Sequence, residues 1–275
     1  GHIGSAVIRK LPSAIDAIDE LVMIDNLSTQ RFSSLYNLPP KKYTFIEGDI
    51  RTLDLDFYIK KADYVIHLAA ITDAAGSFGN AEEVELNNYD CTAIIANACL
   101  KNNVKNVIAL STDKASSPIN LYGASKLCSD KIFVAANNYT GGQEIKFSVV
   151  RYGNVLGSRG SVLPIFLKSS EKTNIFNLTH KDMTRFNITL KQGVNFVHWC
   201  MANNNGGEIF IPKLDSYYVM DIAKAISQNA RFKIIGIKPG EKIHEELLSS
   251  SDSISSMEGK NFYTIFNYIN KERSR

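Results

Sequence analysis

Five side chains in one short stretch carry groups that can move protons: Thr112, Asp113, Lys114, Tyr122 and Lys126. Tyr122 and Lys126 stand four residues apart, so on a helix they share one face. An ammonium placed there stabilises phenolate and turns a tyrosine into a usable base nearer neutrality. Just upstream, a hydroxyl, a carboxylate and an amine sit side by side where the apolar run Val107-Ile108-Ala109-Leu110 gives out. The bare Tyr-x-x-x-Lys spacing arises by chance about once in a few hundred residues and also fits an ordinary surface helix. The density of acid–base groups beside it is what singles it out.

These groups need a scaffold. Apolar runs over residues 21–25, 43–47, 64–68, 107–110 and 147–150 read as strands. Helical patterns over 4–11, 82–101 and 122–137 lie between them. Continuous apolar strands alternating with helices predict a parallel sheet covered on both faces, joined by right-handed crossovers. The pattern loosens after Arg151. Residues 153–185 are rich in Gly, Ser and Asn, a helix is expected over 190–203, a strand over 208–211, a helix over 220–229 and a strand over 233–236. Residues 249–256 read as a polar, serine-rich loop. The expected division is 1–152 for the larger sheet domain, with 186–205 returning to it, and 153–185 plus 206–275 for a smaller interleaved lobe.

The bulk numbers narrow the function classes. The chain has 275 residues, 44% hydrophobic and 21% charged, enough for a large core. A net charge of +3 gives no reason to expect nucleic acid or a membrane surface as partner. Cys91, Cys99, Cys128 and Cys200 show no Cys-x-x-Cys spacing and read as reduced, packed thiols of a cytoplasmic protein. No apolar run is long enough to span a bilayer, so no membrane insertion is expected. The five histidines are scattered, and no metal site is expected.

The chain opens Gly1-His2-Ile3-Gly4-Ser5, which reads as the second half of a glycine-rich strand-to-helix turn. The expectation is an N-terminally shortened sequence whose first strand and first glycine lie upstream. Gly1-x-x-Gly4 before a helix suits a pyrophosphate, because glycine admits phosphate close to the backbone and the helix start offers amide donors. Asp25, at a strand end about twenty residues on, would bond the ribose hydroxyls of NAD and repel the extra phosphate of NADP. Asp49 and Ile50 are placed to frame the adenine. His67-Leu68-Ala69-Ala70 closes a strand with small residues that let a cofactor lie close, and His67 itself reads as a core histidine.

Taken in order, Gly1-x-x-Gly4, Asp25, Gly48-Asp49-Ile50, His67-Leu68-Ala69-Ala70 and Tyr122-x-x-x-Lys126 resemble the extended short-chain dehydrogenase/reductase superfamily over essentially the whole chain. The second half is more specific. The segments Leu110-Ser111-Thr112-Asp113-Lys114-Ala115, Pro118 to Lys126, Val150-Arg151-Tyr152-Gly153-Asn154-Val155, Gly157-Ser158-Arg159-Gly160-Ser161, Met183-Thr184-Arg185-Phe186 and Pro239-Gly240-Glu241-Lys242 are together similar to the configuration-inverting UDP-N-acetylglucosamine 4,6-dehydratases. Two segments depart from that family. Ile24-Asp25-Asn26-Leu27-Ser28 and the run from Ile71 to Phe78 look more like NAD-dependent nucleotide-sugar epimerases and glucose-type dehydratases. Lys238 stands where an arginine commonly precedes Pro-Gly-Glu-Lys, which keeps the charge but loses the bidentate fork.

The resemblance implies an α/β fold, a Rossmann-type doubly wound parallel sheet with a smaller interleaved C-terminal substrate lobe. It implies NAD as cofactor (NADP remaining possible), held by Gly1, Ile3, Gly4, Asp25, Asp49, Ile50, Leu68, Ala69, Ala70, Asn88, Tyr122 and Lys126. It implies a UDP-sugar met by Asn154, Arg159, Ser161, Arg185, Lys238 and Glu241, and a homo-oligomer, dimer or larger. The implied reaction has Tyr122 take the C4 hydroxyl proton, Lys114 the C5 proton, and Asp113 protonate the departing C6 hydroxyl, with Thr112 orienting the reacting oxygen. Water elimination needs a base and an acid at one sugar edge, and Asp113-Lys114 supplies both. A 4-epimerase needs only the tyrosine and a hydroxyl partner. That epimerase, and a non-catalytic nucleotide-binding chain, stand as the alternatives.

Overall fold

The computed structural model describes residues 1–14, 18–30, 32–72, 77, 79–158 and 160–266. The chain runs α1 (His2–Ala14), β1 (Glu20–Asp25), β2 (Lys42–Glu47), α2 (Leu55–Ile59), β3 (Tyr64–His67), α3 (Ala81–Val84), a π-helical turn (Glu85–Asp90) and α4 (Cys91–Lys101). Then come β4 (Asn106–Thr112), α5 (Leu121–Ala136), β5 (Lys146–Tyr152), β6 (Asn154–Val155), α6 (Val162–Lys172), β7 (Ile175–Leu178), β8 (Thr184–Ile188) and α7 (Leu190–Asn203). The last elements are β9 (Glu208–Pro212), β10 (Ser216–Tyr218), α8 (Val219–Ile226), β11 (Arg231–Ile234), α9 (Ser250–Ser253), β12 (Ser256–Glu258) and β13 (Phe262–Phe266).

The main sheet has the order β12-β13-β9-β5-β4-β3. Strands β3, β4, β5 and β9 are parallel, and β13 and β12 add an antiparallel edge. The central strands are apolar on both faces, and alternate residues feed two cores. Val107, Ala109, Phe147, Val149, Ile209 and Ile211 pack with α2, α4 and α5. Ile108, Leu110, Val150, Tyr152 and Phe210 pack with α1 and α7 on the other side. This is the doubly wound α/β arrangement expected from the sequence. Helix α7 starts where the sequence sets it, with Thr189 and Gln192 forming a reciprocal capping box.

Strands β1 and β2 pair with each other, in parallel, as a separate two-stranded sheet. Residues 21–25 read as a buried strand, but Val22 is 45% exposed, because β1 pairs only with β2 among the described residues. The smaller lobe has its own core of Phe166, Phe176, Leu178, Met183, Val219 and Ala223, built by α6, β7 and α8. The expected lobe over 206–275 includes β9, β12 and β13, which pair into the large sheet. The serine-rich loop expected at 249–256 is corrected. Ser249 caps α9 by accepting from Asp252 N at 3.0 Å, and Ser253 and Ser256 also bond nearby backbone carbonyls, so hydroxyls organise the segment instead of loosening it.

Candidate active site

Strand β4 delivers Thr112 at its carboxyl end, where a parallel sheet presents its crevice. A 3-10 turn over Asp113–Ala115 follows, with the Thr112 hydroxyl accepting from Lys114 N. Thr112 donates to Asp113 Oδ1 at 2.9 Å, and Lys114 Nζ meets the same oxygen at 3.1 Å. The Asp113 side chain is fully buried, and its Oδ2 has no hydrogen-bond partner among the described residues.

Helix α5 is docked onto this turn. Its cap, Asn120, accepts from Gly123 N at 2.7 Å and donates to Gly240 O at 2.8 Å. A Cβ at position 123 would stand 2.3 Å from the Lys114 carbonyl oxygen, so only glycine allows the close approach. Tyr122 and Lys126 therefore face the turn, both buried, and the Tyr122 and Thr112 hydroxyls are hydrogen-bonded.

Burial dominates the electrostatics. It pushes the Tyr122 phenol well above its ordinary range, with the Thr112 bond pulling the other way. It pushes the Lys126 ammonium down, opposed by the carboxylate of Asp130 one turn further on. Desolvation is thus the largest cause at both groups. His67, expected as a core histidine, packs on Phe133 and is held down to about 3 by burial, hence neutral beside Lys126. Behind the pair, Asp130 accepts from Ser111 at 2.9 Å and from the fully buried Arg151 at 3.1 Å, and Arg151 also reaches Asp252 at 3.1 Å.

The expected cofactor residues cluster at one end of the sheets. Gly4, in the first turn of α1, would carry a Cβ 3.5 Å from Leu68, so the α1 start lies against the end of β3 and its Ala69-Ala70 continuation. Ile3 packs in the core on the α1 side, and Gly1 O accepts from Ser5 N. Asp25 is exposed at the end of β1 and accepts from Leu27 N at 2.8 Å. Gly48 N donates to Asp25 O, which sets Asp49 and Ile50 beside it. Asp49 is clamped by Arg51 at 2.6 Å and its carboxyl is held down to about 2 by that guanidinium. Asn88 is buried in the π-helical turn and clamps the backbone of Ile71 from both sides, at 2.8 and 2.9 Å, while touching Ser125.

The expected sugar-nucleotide residues are more dispersed. Asn154 lies in β6 opposite Asn187. Ser161 is the N-cap residue of α6, and its Oγ is buried without a partner among the described residues. Arg159 lies outside the described residues. Arg185 is largely buried, bonds the backbone of Thr184 and Ile243, and stands 3.6 Å from Glu241. Glu241 in turn accepts from Lys238 N at 3.2 Å, whereas the Lys238 side chain is exposed.

Asp130 and Glu245 escaped the sequence reading, and Asn120 and Arg151 entered it only as parts of longer segments, without a role. Asn120 carried a local signal, a cap residue just before the helix. The others act through contacts with distant segments, which local sequence does not show.

A Rossmann-type sheet with a buried Tyr-x-x-x-Lys pair at the carboxyl ends of its strands defines an extended short-chain dehydrogenase/reductase. The chain belongs to the polysaccharide biosynthesis protein family, whose sequence pattern matches residues 1–267. It is 46% identical over 243 residues to the UDP-N-acetylglucosamine 4,6-dehydratase (inverting) of Campylobacter jejuni, covering 88% of this chain and 72% of that protein. It is 31% identical over 274 residues to the UDP-glucose 4-epimerase of Rickettsia canadensis, covering 96% of this chain and 80% of that protein. Among solved structures it is similar to Pen from Bacillus thuringiensis, with a TM-score of 0.88 at 29% identity, covering 98% of this chain and 87% of that one.

Proposed function

We propose that the chain is a UDP-N-acetylglucosamine 4,6-dehydratase that inverts C5, working with NAD in the synthesis of bacterial surface sugars such as pseudaminic acid. The observation that carries this reading is the Asp113–Lys114 pair. It puts an acid and a base 3.1 Å apart, within one hydroxyl of Tyr122. The 46% identity to the Campylobacter dehydratase supports the same reading.

The residues fit a dinucleotide. Gly4 keeps the start of α1 open against Leu68, and the Asp25 carboxylate is exposed at the end of β1. The bound nicotinamide would supply hydride removal at C4 and hydride return at C6. Tyr122 takes the C4 hydroxyl proton, with Thr112 holding the oxygen and Lys126 fixing the phenol. The 4-ketone acidifies C5, whose proton passes to Lys114, and Asp113 protonates the leaving C6 oxygen. Arg185, Asn154, Ser161, Arg159, Lys238 and Glu241 are the proposed contacts to the UDP-sugar. Among the described residues no helix is long and apolar enough to cross a membrane, and a cytoplasmic homo-oligomer is proposed.

Incubation of the protein with UDP-N-acetylglucosamine and NAD in deuterated water tests the reading. The expected product is lighter by one water, carries deuterium at C5 and is inverted there. A mass-neutral product epimerised at C4 would overturn it in favour of the activity named for the Rickettsia relative.

A further inference from the structure

Lys114 does not face Asp113 alone. Its Nζ also lies 3.7 Å from Glu245 Oε1, so the amine sits between two carboxylates. Only 5% of the Glu245 side chain is exposed, a costly place for a carboxylate unless something compensates it. Its Oε2 is buried and has no hydrogen-bond partner among the described residues. Lys242 Nζ stands 3.9 Å from that oxygen but donates to Ser116 O at 2.7 Å. The segment carrying Glu245 is strapped to the 116–120 loop at three points: Asn120 to Gly240, Lys242 to Ser116, and Ser117 to Glu246. The charge of Glu245 is therefore held in place against Lys114.

We propose that Glu245 is a positioning residue for the elimination step, holding the Lys114 amine toward the site as it takes a proton. This rests on the dehydratase reading. One proton crossing from Lys114 to Asp113 turns their ion pair into an amine and a carboxylic acid. The amine then takes the C5 proton, and the C5–H electron pair becomes the second bond between C5 and C6. The C6–O bond breaks with its pair, and the Asp113 acid supplies the proton that lets the oxygen leave as water. Lys114 ends as ammonium and Asp113 as carboxylate, the starting ion pair, with no net oxidation. Glu245 faces the nitrogen at both ends of this cycle, so what it supplies is a fixed place for the amine while the proton moves.

The test uses the full chain with UDP-N-acetylglucosamine and NAD in deuterated water, reading nicotinamide reduction by absorbance, C5 deuterium by NMR and water loss by mass. Glu245→Gln is expected to keep the wild-type KM and rate of nicotinamide reduction. Deuterium uptake and water loss slow on the order of tenfold to a hundredfold, and reduced nicotinamide accumulates. Glu245→Asp restores part of the elimination rate. A Gln variant that eliminates at the wild-type rate overturns the proposal, as does one that slows reduction and elimination alike. Should the Gln variant fail to fold, the Asp variant decides, because its withdrawn charge must slow elimination while sparing reduction. A wild-type protein that reduces nicotinamide yet returns only a mass-neutral epimer sinks the dehydratase reading itself, whatever the variants do.

Discussion

The loop from β4 to α5 and the ends of β1 and β2 are both proposed to meet one cofactor, yet they are built by different means. Around β4 every strand residue is buried except Thr112, and the loop after it is tied to residues 240–246, far along the chain. Around β1 and β2 the ties are short-range or run between the two strands, as in Asp25 to Leu27, Asn26 to Ser28, Asp49 to Arg51 and Glu20 to Lys42, with Arg51 also reaching Glu83 at 3.5 Å. Proton transfer tolerates little displacement of donor and acceptor, so the chemical half is fixed by distant contacts and dry surroundings. Binding a ribose asks only for an accessible carboxylate on a stable turn, which two or three residues can make by themselves.

The sharpest way to break this contrast is Tyr122→Phe. The variant gives up the hydroxyl's bond to the Thr112 side chain and keeps the buried ring, so it should fold while turnover falls on the order of a hundredfold to ten-thousandfold. Steady-state product formation checks it, and undiminished turnover would remove the chemical half from the comparison. Arg151→Met comes next. It leaves Asp130 fully buried with its cation gone, a change expected to cost about 3–5 kcal/mol in denaturant unfolding. A loss no larger than that of an exposed pair would mean the support behind α5 is not what holds it.

Legibility in the sequence followed the same divide. The strands of the main sheet were readable because each is a short apolar run between polar breaks, and α5 because the Tyr-x-x-x-Lys spacing marks it locally. What was not readable is what reaches across the chain. Nothing near Glu245 says that it will face Lys114, and nothing near Asp252 says that it will complete the coordination of Arg151. Serines at 249–256 were misread because loop composition and helix capping use the same residues, and only the observed bond from Asp252 N to Ser249 separates the two. The exposure of β1 was hidden for a different reason: an apolar run reports what a strand can bury, and burial also depends on which neighbours pair with it.

The smallest expected effect lies on the open side. Asp49 is paired with Arg51, two residues away, and both side chains stay about a quarter exposed, at 22% and 27%. The carboxyl is held at about 2, below its ordinary 3.8, by the Arg51 hydrogen bonds. A depressed carboxylate stabilises the fold above its unfolded value, and that contribution fades as the pH falls from 3.8 toward about 2. Asp49→Asn should therefore lower stability at neutral pH by about 1 kcal/mol or less, because solvent screens the pair. The difference between variant and wild type should shrink through that acid window. Unfolding midpoints measured across it decide the matter. A gap that stays constant down to the acid limit would show Asp49 acting through packing, and the β1–β2 end would then share the long-range construction of the chemical half.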